Sequence, residues 1–486
     1  MRNTGIVGGG IGSLIAALLL SKQGINVTIF EKQHKLGGRL SFVERDGYRI
    51  DEGPTIVLLP KIIEEILEKS GIDRGDYSLL SCDPLYKIHY KDGSAYTKYA
   101  DQAKQLEELQ RVFPGEQEGY LRFMKDMKLR FSLGKPMFLE KSFIQKRDFF
   151  TYENIKTLLK LKVYQTTKKM MSSYFQDEKL QDAYSLQTLY IGGNPSETPA
   201  IYSLVSYSEH EFGIWYIKGG YAGLVSILEK ELRKRKIEIY YGTEVEKIEV
   251  QKGRAEGLWA NNKFYSFDTI LVNGDFPNMQ SLVDTERTRN PYVPSSGCVL
   301  LYFGLNKTYK EAEVHQFFLS GNMDKHMQEI FITKEVPTDP SFYTFHPSLI
   351  DSSLAPAGKG VLYTLVPVPS GDHIDWKNEA NFVERIIDSI QERGFPNLRN
   401  HIEWMRVKTP NEAMTEGLYQ GGSFGIAPIL LQSGVFRPQI KPFVIENVYA
   451  AGASIHPGGG VPIVMLGANL AVEAMLEDLI QRSGTH

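Results

Sequence analysis

Between Thr4 and Glu31 the chain reads TGIVGGGIGSLIAALLLSKQGINVTIFE: an apolar run, a glycine loop, an apolar helix pattern and a second strand ending on a carboxylate. Gly8-Gly9-Gly10-Ile11-Gly12-Ser13 fits G-x-G-x-x-[GAS] directly after a strand and before a helix. In such a βαβ unit the first glycine permits a tight turn and the next lets a pyrophosphate approach the backbone. A small residue at the last position, here Ser13, lets the helix pack on the strand. Glu31 stands where a carboxylate accepts hydrogen bonds from ribose hydroxyls, and it repels a 2′-phosphate. The unit predicts a dinucleotide held at a helix N-terminus, with Gly8, Gly10, Gly12, Ser13, Glu31 and Lys32 around it.

The next turn, Leu36-Gly37-Gly38-Arg39, adds a second backbone approach and a cation placed for phosphate. FVERDGYRIDEGP, from Phe42 to Pro54, then predicts a hairpin around Asp46-Gly47 that delivers Asp51-Glu52-Gly53-Pro54. An NAD dehydrogenase gives no reason for these additions. Together they resemble the extended fingerprint of the FAD-containing amine oxidase and phytoene desaturase superfamily, which runs from the first glycines through G-G-R to D-x-G-P. The resemblance implies FAD. No second G-x-G-x-x-G occurs, since the glycines at 219–223 and 421–425 have the wrong spacing, so no NAD(P)H module is expected. A second glycine loop does follow a strand near the C-terminus, in NVYAAGASIHPGGGVP from Asn447 to Pro462. FAD is long enough to need both loops. Gly452 would serve the ribityl and pyrophosphate, while Gly459 and Gly460 let backbone lie against the flavin ring. The helix opening at Val461 and Pro462 would aim its dipole there.

YAAGASIHPGGGVP resembles the signature of bacterial phytoene-type carotenoid desaturases. DEGPTIVLLP, QTLYIGGNP, IWYIKGG and SFGIAPILLQSGVFRPQ resemble their triterpenoid branch, the 4,4′-diapophytoene (dehydrosqualene) desaturases. That family implies FAD contacts at Gly8, Gly10, Glu31, Gly38, Arg39, Gly53, Gly452 and, through its backbone, Val245, with Pro54 alongside. It also implies successive desaturation of a colourless C30 isoprenoid, 4,4′-diapophytoene to 4,4′-diaponeurosporene or further. An allylic hydride and a neighbouring proton would be lost in each step, inside an apolar tunnel, with oxygen or a quinone as final electron acceptor. His456, Glu209 and His210 are candidates for the proton acceptor, with Glu211 and Asp275 behind them. The chain departs from the pattern at Ser13, and at Ala453-Ser454 where many flavoproteins carry Gly-Asp.

The expected architecture is α/β: a Rossmann-like FAD-binding domain with an inserted α+β substrate domain and a helical membrane-contacting region. The FAD domain is assigned to 1–95, 212–280 and 435–486. The helical part takes 96–211 and the sheet-containing part 281–434. From Leu121 to Met170 thirteen Lys/Arg face four Asp/Glu, interleaved with Phe123, Phe131, Phe138, Phe143, Phe149 and Phe150, a mixture suited to an anionic membrane surface. No apolar run is long enough to span a bilayer, and the N-terminus shows no secretory signal. The expected location is cytoplasmic, on the inner face of the cell membrane. Two cysteines match no metal spacing and fit a reducing compartment, and a net charge of -3 gives no reason to expect nucleic acid. Three alternatives share these motifs in part: a carotenoid oxidase acting on the terminal methyl of a C30 carotenoid, a flavin-free prenyl carrier resembling Rab GDP-dissociation inhibitor, and a polyamine or amino-acid oxidase.

Overall fold

A computed structural model describes residues 2–283 and 292–483; residues 284–291, inside the expected sheet-containing part, lie outside this description. The nucleotide half is built on five parallel strands in the order Val448–Ala450, Thr269–Val272, Asn3–Val7, Asn26–Phe30 and Glu238–Tyr240. Val7 lies opposite both Val272 and Phe30, and Val272 opposite Ala450. Gly8, Asn273, Ala451 and Glu31 therefore leave the sheet at one level, on the carboxyl edge where open α/β sheets bind ligands. The two glycine loops meet because their strands flank a third.

Helix Ile11–Lys22 is apolar all round because it is enclosed, with the terminal helix Val461–Ser483 packed along it. Helix Gly220–Lys234 is fastened at its start by Asp51, whose carboxylate accepts from the Tyr221 and Ala222 N–H groups at 2.8 and 3.1 Å. Those are two donors that a helix N-terminus leaves without internal partners. The hairpin strands Phe42–Arg45 and Tyr48–Asp51 form as expected.

The second half carries a seven-stranded sheet in the order Ile402–Lys408, Gly297–Leu305, Gly360–Val368, Phe342–Phe345, His315–Phe318, Tyr86–His89 and Ala95–Lys98. Gly297–Leu305 is buried along its whole length, which explains its unbroken apolar run. Helix Ala380–Arg393 seals one face, and the helices between Gln102 and Phe212 build against the other. The boundary expected at residue 95 falls inside a hairpin of this sheet. Tyr86 and Ile88 on one strand, and Tyr96 and Lys98 on the other, turn toward the helical core, so the chain leaves the nucleotide half before Tyr86. Among the described residues no helix is long and apolar enough to cross a membrane, and both cysteines are free and buried.

Several histidines are buried in neutral form. His346 accepts from Tyr309 N–H at 3.1 Å and donates through Nδ1 to Val361 O at 2.7 Å; burial holds it down to about 4. His315 and His326 are lowered by burial to about 3 and about 4. The unfolded chain takes up these protons below its ordinary histidine pKa and the folded chain does not, so stability falls as pH drops from 6.5 toward 4. Asp51 and Asp182 act oppositely, since burial raises them to about 6 and about 7 and the folded chain takes their protons first. In His346→Gln, the slope of unfolding free energy against pH in this window should become shallower by about 1.4 kcal/mol per pH unit. Denaturant titrations at several pH values check this, and an unchanged slope would mean that His346 takes a proton in the folded state.

Candidate active site

Gly8 has φ +89°, and a Cβ there would stand 2.3 Å from Asn273 O. A Cβ at Gly10 or Gly12 would meet Asn273 Nδ2 at 3.1 Å. Asn273 in turn donates from Nδ2 to the buried Ser13 hydroxyl at 3.0 Å, which gives the serine in place of the third glycine a partner of its own. Glu31 is buried and accepts from Gly9 N–H at 2.5 Å and Gln33 N–H at 2.7 Å. The second turn docks on the first, with Gly37 N–H donating to Gly9 O at 2.8 Å. A Cβ on Gly53 would lie 2.0 Å from Arg39 O. Three backbone segments thus pack on one another where side chains would hold them apart.

Asp275 joins these loops to the distant one. Its side chain is fully buried; it pairs with Arg39 at 3.1 Å, accepts from Tyr419 N–H at 3.0 Å and receives the Ser454 hydroxyl. Asp275, a candidate proton acceptor from sequence, is thereby committed to three partners. Gly452 has φ +128°, and a Cβ there would come within 3.0 Å of Asn273 Oδ1. The loop continues through Gly459 and Gly460 into the terminal helix, whose first intrahelical bond runs from Val464 N–H to Gly460 O.

These segments line one end of a cavity of about 1330 Å³. Gly8, Gly10, Glu31, Lys32, Gly38, Arg39, Gly53, Pro54, Val245, Gly452, Gly459, Gly460, Val461 and Pro462 all border it. Gly12 and Ser13 lie behind the loop and act through packing. The other end is apolar, walled by Phe138, Phe149, Leu158 and Leu161.

Glu209 and His210 are not in this wall. Helix Leu204–Phe212 turns both into the helical core, where Glu209 accepts from Tyr86 at 2.7 Å and pairs with Lys98 at 3.6 Å. Burial pulls Lys98 down to about 8 and raises Glu209. His210 donates to or accepts nothing at the cavity; its Nδ1 bonds Tyr99 O at 2.8 Å and its ring stacks on Tyr184. His456 does border the cavity, but its Nε2 donates to Lys141 O at 2.8 Å and burial lowers it to about 4. That bond ties the second glycine loop to the helical part, a positioning role. Sequence reasoning assigned nothing to Asn273 or Arg437. Arg437 is buried at the cavity and donates to Gln432 O and Ala453 O, bracing the second loop from behind. Its only signal was its place in the motif GVFRPQ.

The chain matches the model of the flavin containing amine oxidoreductase family over residues 14–476. It is 57% identical to 4,4′-diapolycopen-4-al dehydrogenase of Metabacillus indicus, over 97% of this chain and 96% of that protein. It is 33% identical to 4,4′-diapophytoene desaturase (4,4′-diaponeurosporene-forming) of Staphylococcus haemolyticus, over 98% of each. An oxidoreductase from Methanosarcina mazei shares the fold with a TM-score of 0.65 at 16% identity, over 98% of this chain and 100% of that one. The chain belongs to the flavin containing amine oxidoreductase family. Within it, the relatives place this flavoenzyme among the bacterial carotenoid desaturases, and its cofactor is FAD. The residues present fit that cofactor: the side-chain-free loops would take its pyrophosphate, the Glu31 carboxylate would meet its ribose, and Arg39, whose buried Nε has no partner among the described residues, would be a donor to it.

Asp275→Ala would leave Arg39 and the Ser454 hydroxyl without their acceptor, so FAD affinity should fall at least tenfold, about the worth of one charge-assisted bond. His456→Gln, which keeps a donor for Lys141 O, should hold FAD better than His456→Ala. The flavin absorbance retained after gel filtration measures both. Wild-type FAD content in Asp275→Ala would show that the three-partner network is dispensable.

Proposed function

We propose that the chain oxidises the end group of a thirty-carbon carotenoid, converting a terminal aldehyde to the acid. The observation that carries this is the gradient of identity, 57% to the aldehyde dehydrogenase against 33% to the diapophytoene desaturase at equal coverage. The motifs that resemble the desaturases surround the FAD loops, which any flavoenzyme of this family needs. Stepwise desaturation of 4,4′-diapophytoene is the second reading, favoured by the apolar limb of the cavity, which suits a hydrocarbon without a polar handle.

A water that adds to the aldehyde carbon supplies the second oxygen of the acid, and the hydrate gives up two electrons and two protons; FAD, when bound, supplies the two-electron acceptor, and oxygen or a quinone takes the electrons onward. The protein's part is to hold a long polyene with one end at the polar limb and to keep the rest dry. The walls discriminate chain length weakly, since one methylene in an apolar pocket changes binding only about 10- to 200-fold.

A peripheral membrane location belongs to the same proposal. Phe149 and Phe150 both border the cavity; Phe149 is buried, while Phe150 is half-exposed beside Phe436. Helix Tyr152–Lys160 presents Tyr152 and Leu159, 77% and 60% exposed, with Lys156 and Lys160 among them. Exposed apolar groups bordering the cavity, Phe150 and Phe436, with the lysines of the helix that follows Phe150 in the chain, suit an anionic bilayer that stores the substrate.

FAD-loaded protein mixed with liposomes carrying 4,4′-diapolycopen-4-al should yield a product heavier by one oxygen. With 4,4′-diapophytoene it should yield little or none lighter by two hydrogens. Mass spectrometry separates the two, and the reverse pattern would establish the desaturase. Glu at positions 146, 156, 160 and 162 in place of lysine should abolish sedimentation with anionic liposomes while FAD stays bound; undiminished sedimentation would remove the membrane surface from this face.

A further inference from the structure

The cavity wall contains a hydrogen-bonded chain that a hydrocarbon would not need. Thr55, directly after Gly53-Pro54, lies 2.7 Å from the Tyr343 hydroxyl, and both residues border the cavity. Behind them the Tyr343 hydroxyl lies 2.6 Å from His315 Nδ1, and His315 Nε2 lies 3.6 Å from Cys82 Sγ. All four side chains are buried, and they come from four separate segments: Thr55 from the loop after Gly53-Pro54, Tyr343 and His315 from two paired strands, and Cys82 from the strand preceding Tyr86.

The direction of this chain is free. In one arrangement Thr55 donates to Tyr343, Tyr343 to His315 Nδ1, and Nε2–H points at the cysteine sulfur. In the other every donor is reversed: Cys82 S–H toward Nε2, Nδ1–H to Tyr343, Tyr343 O–H to Thr55, and Thr55 O–H out into the cavity. The imidazole admits both because either ring nitrogen can carry its single proton. Burial keeps the thiol and the phenol protonated and the imidazole neutral, so neither arrangement carries a net charge. Only the second offers a free donor to the cavity, and it leaves every inner group paired.

We propose that Thr55, backed by Tyr343 and His315, holds the oxygen at the end of the substrate by donating a hydrogen bond to it. The ligand class is a polyene with a terminal carbonyl. A carbonyl oxygen accepts and cannot donate, so it selects the outward arrangement, whereas a hydrocarbon end gains nothing from either. This specificity rests on the terminal-oxidation reading. It adds that one end of the substrate is fixed beside Gly53-Pro54, and so at the FAD end of the cavity.

The test uses the FAD-loaded full chain, wild type and Thr55→Val, Thr55→Ser and Tyr343→Phe. Its probes are 4,4′-diapolycopen-4-al and the parent hydrocarbon 4,4′-diapolycopene. Thr55→Val should lower the preference for aldehyde over hydrocarbon about tenfold, the scale of one hydrogen bond, and Thr55→Ser should restore it. Tyr343→Phe should do the same more weakly, since Thr55 keeps its hydroxyl. The carbonyl stretch of the bound aldehyde, read by Raman spectroscopy, should be shifted down in wild type and relax in Thr55→Val. Equal weakening of both ligands, or a carbonyl stretch indifferent to Thr55, would overturn the proposal. If wild type shows the shifted carbonyl but does not oxidise the aldehyde, the functional reading fails and the hydrogen bond stands. If wild type oxidises the aldehyde and Thr55→Val matches it in every readout, the hydrogen bond fails alone.

Discussion

The turn Asn273-Gly274-Asp275 is the constraint on which the site depends. It leaves the strand lying between the first and last strands of the chain, and it touches both glycine loops through side chains that are almost wholly buried. Asn273 fills the space that the missing side chains of Gly8, Gly10, Gly12 and Gly452 leave, and it satisfies Ser13. Asp275 supplies a buried negative charge to a cation from one loop and a hydroxyl from the other. A buried carboxylate is costly unless its lone pairs are met, so those partners are held as firmly as they hold it. Ser454 suits its place beside Asp275: a second carboxylate there would repel it, while a hydroxyl can donate to it.

What was legible in the sequence follows from the range of each requirement. A backbone that must turn within a few residues writes its need locally, as glycine, so the two loops, the hairpin and the helix starts could be read directly. Asn273 and Asp275 answer needs set by residues 260 and 236 positions away, and nothing next to them in the chain announces those partners. Glu209 and His210 were misread for the same reason. In SEHEFG they look like spare acid and base, but Lys98 and Tyr86 arrive from a hairpin far upstream and turn the acid into one member of a buried polar cluster. The hairpin itself was assigned to the wrong half because four-residue strands carry too little pattern to show which sheet they join.

The same distinction bears on substrate. Motifs around FAD record what the cofactor demands, and the family shares that demand whatever end of whatever polyene is oxidised. Differences in substrate must be written where the cavity wall is built from segments that meet only in the fold. Thr55, Tyr343 and His315 form such a place, contributed by a loop and two strands with no common motif.

The apolar limb carries a second constraint. Residues 143–161 both wall the cavity and present apolar side chains to solvent: Phe149 does the first, and its neighbour Phe150 does both. Phe149 packs with Phe143 and Val435 into a small cluster of its own, apart from the larger cores. His456 reaches the same place by bonding Lys141 O and packing on Phe143, so the flavin-side loop and the exposed face share one anchor. A segment held by so small a cluster opens at lower free energy than the sheets beneath it. The elongated, insoluble substrate proposed above would enter by some displacement of the wall, and the wall that moves at least cost is this loosely held one, the face proposed to meet a membrane. The polar limb, by contrast, is fixed by buried charge and crowded backbone. Rigid where the chemistry is placed and loosely held where the substrate would pass, the cavity sets the two requirements side by side, joined through His456 and Phe143.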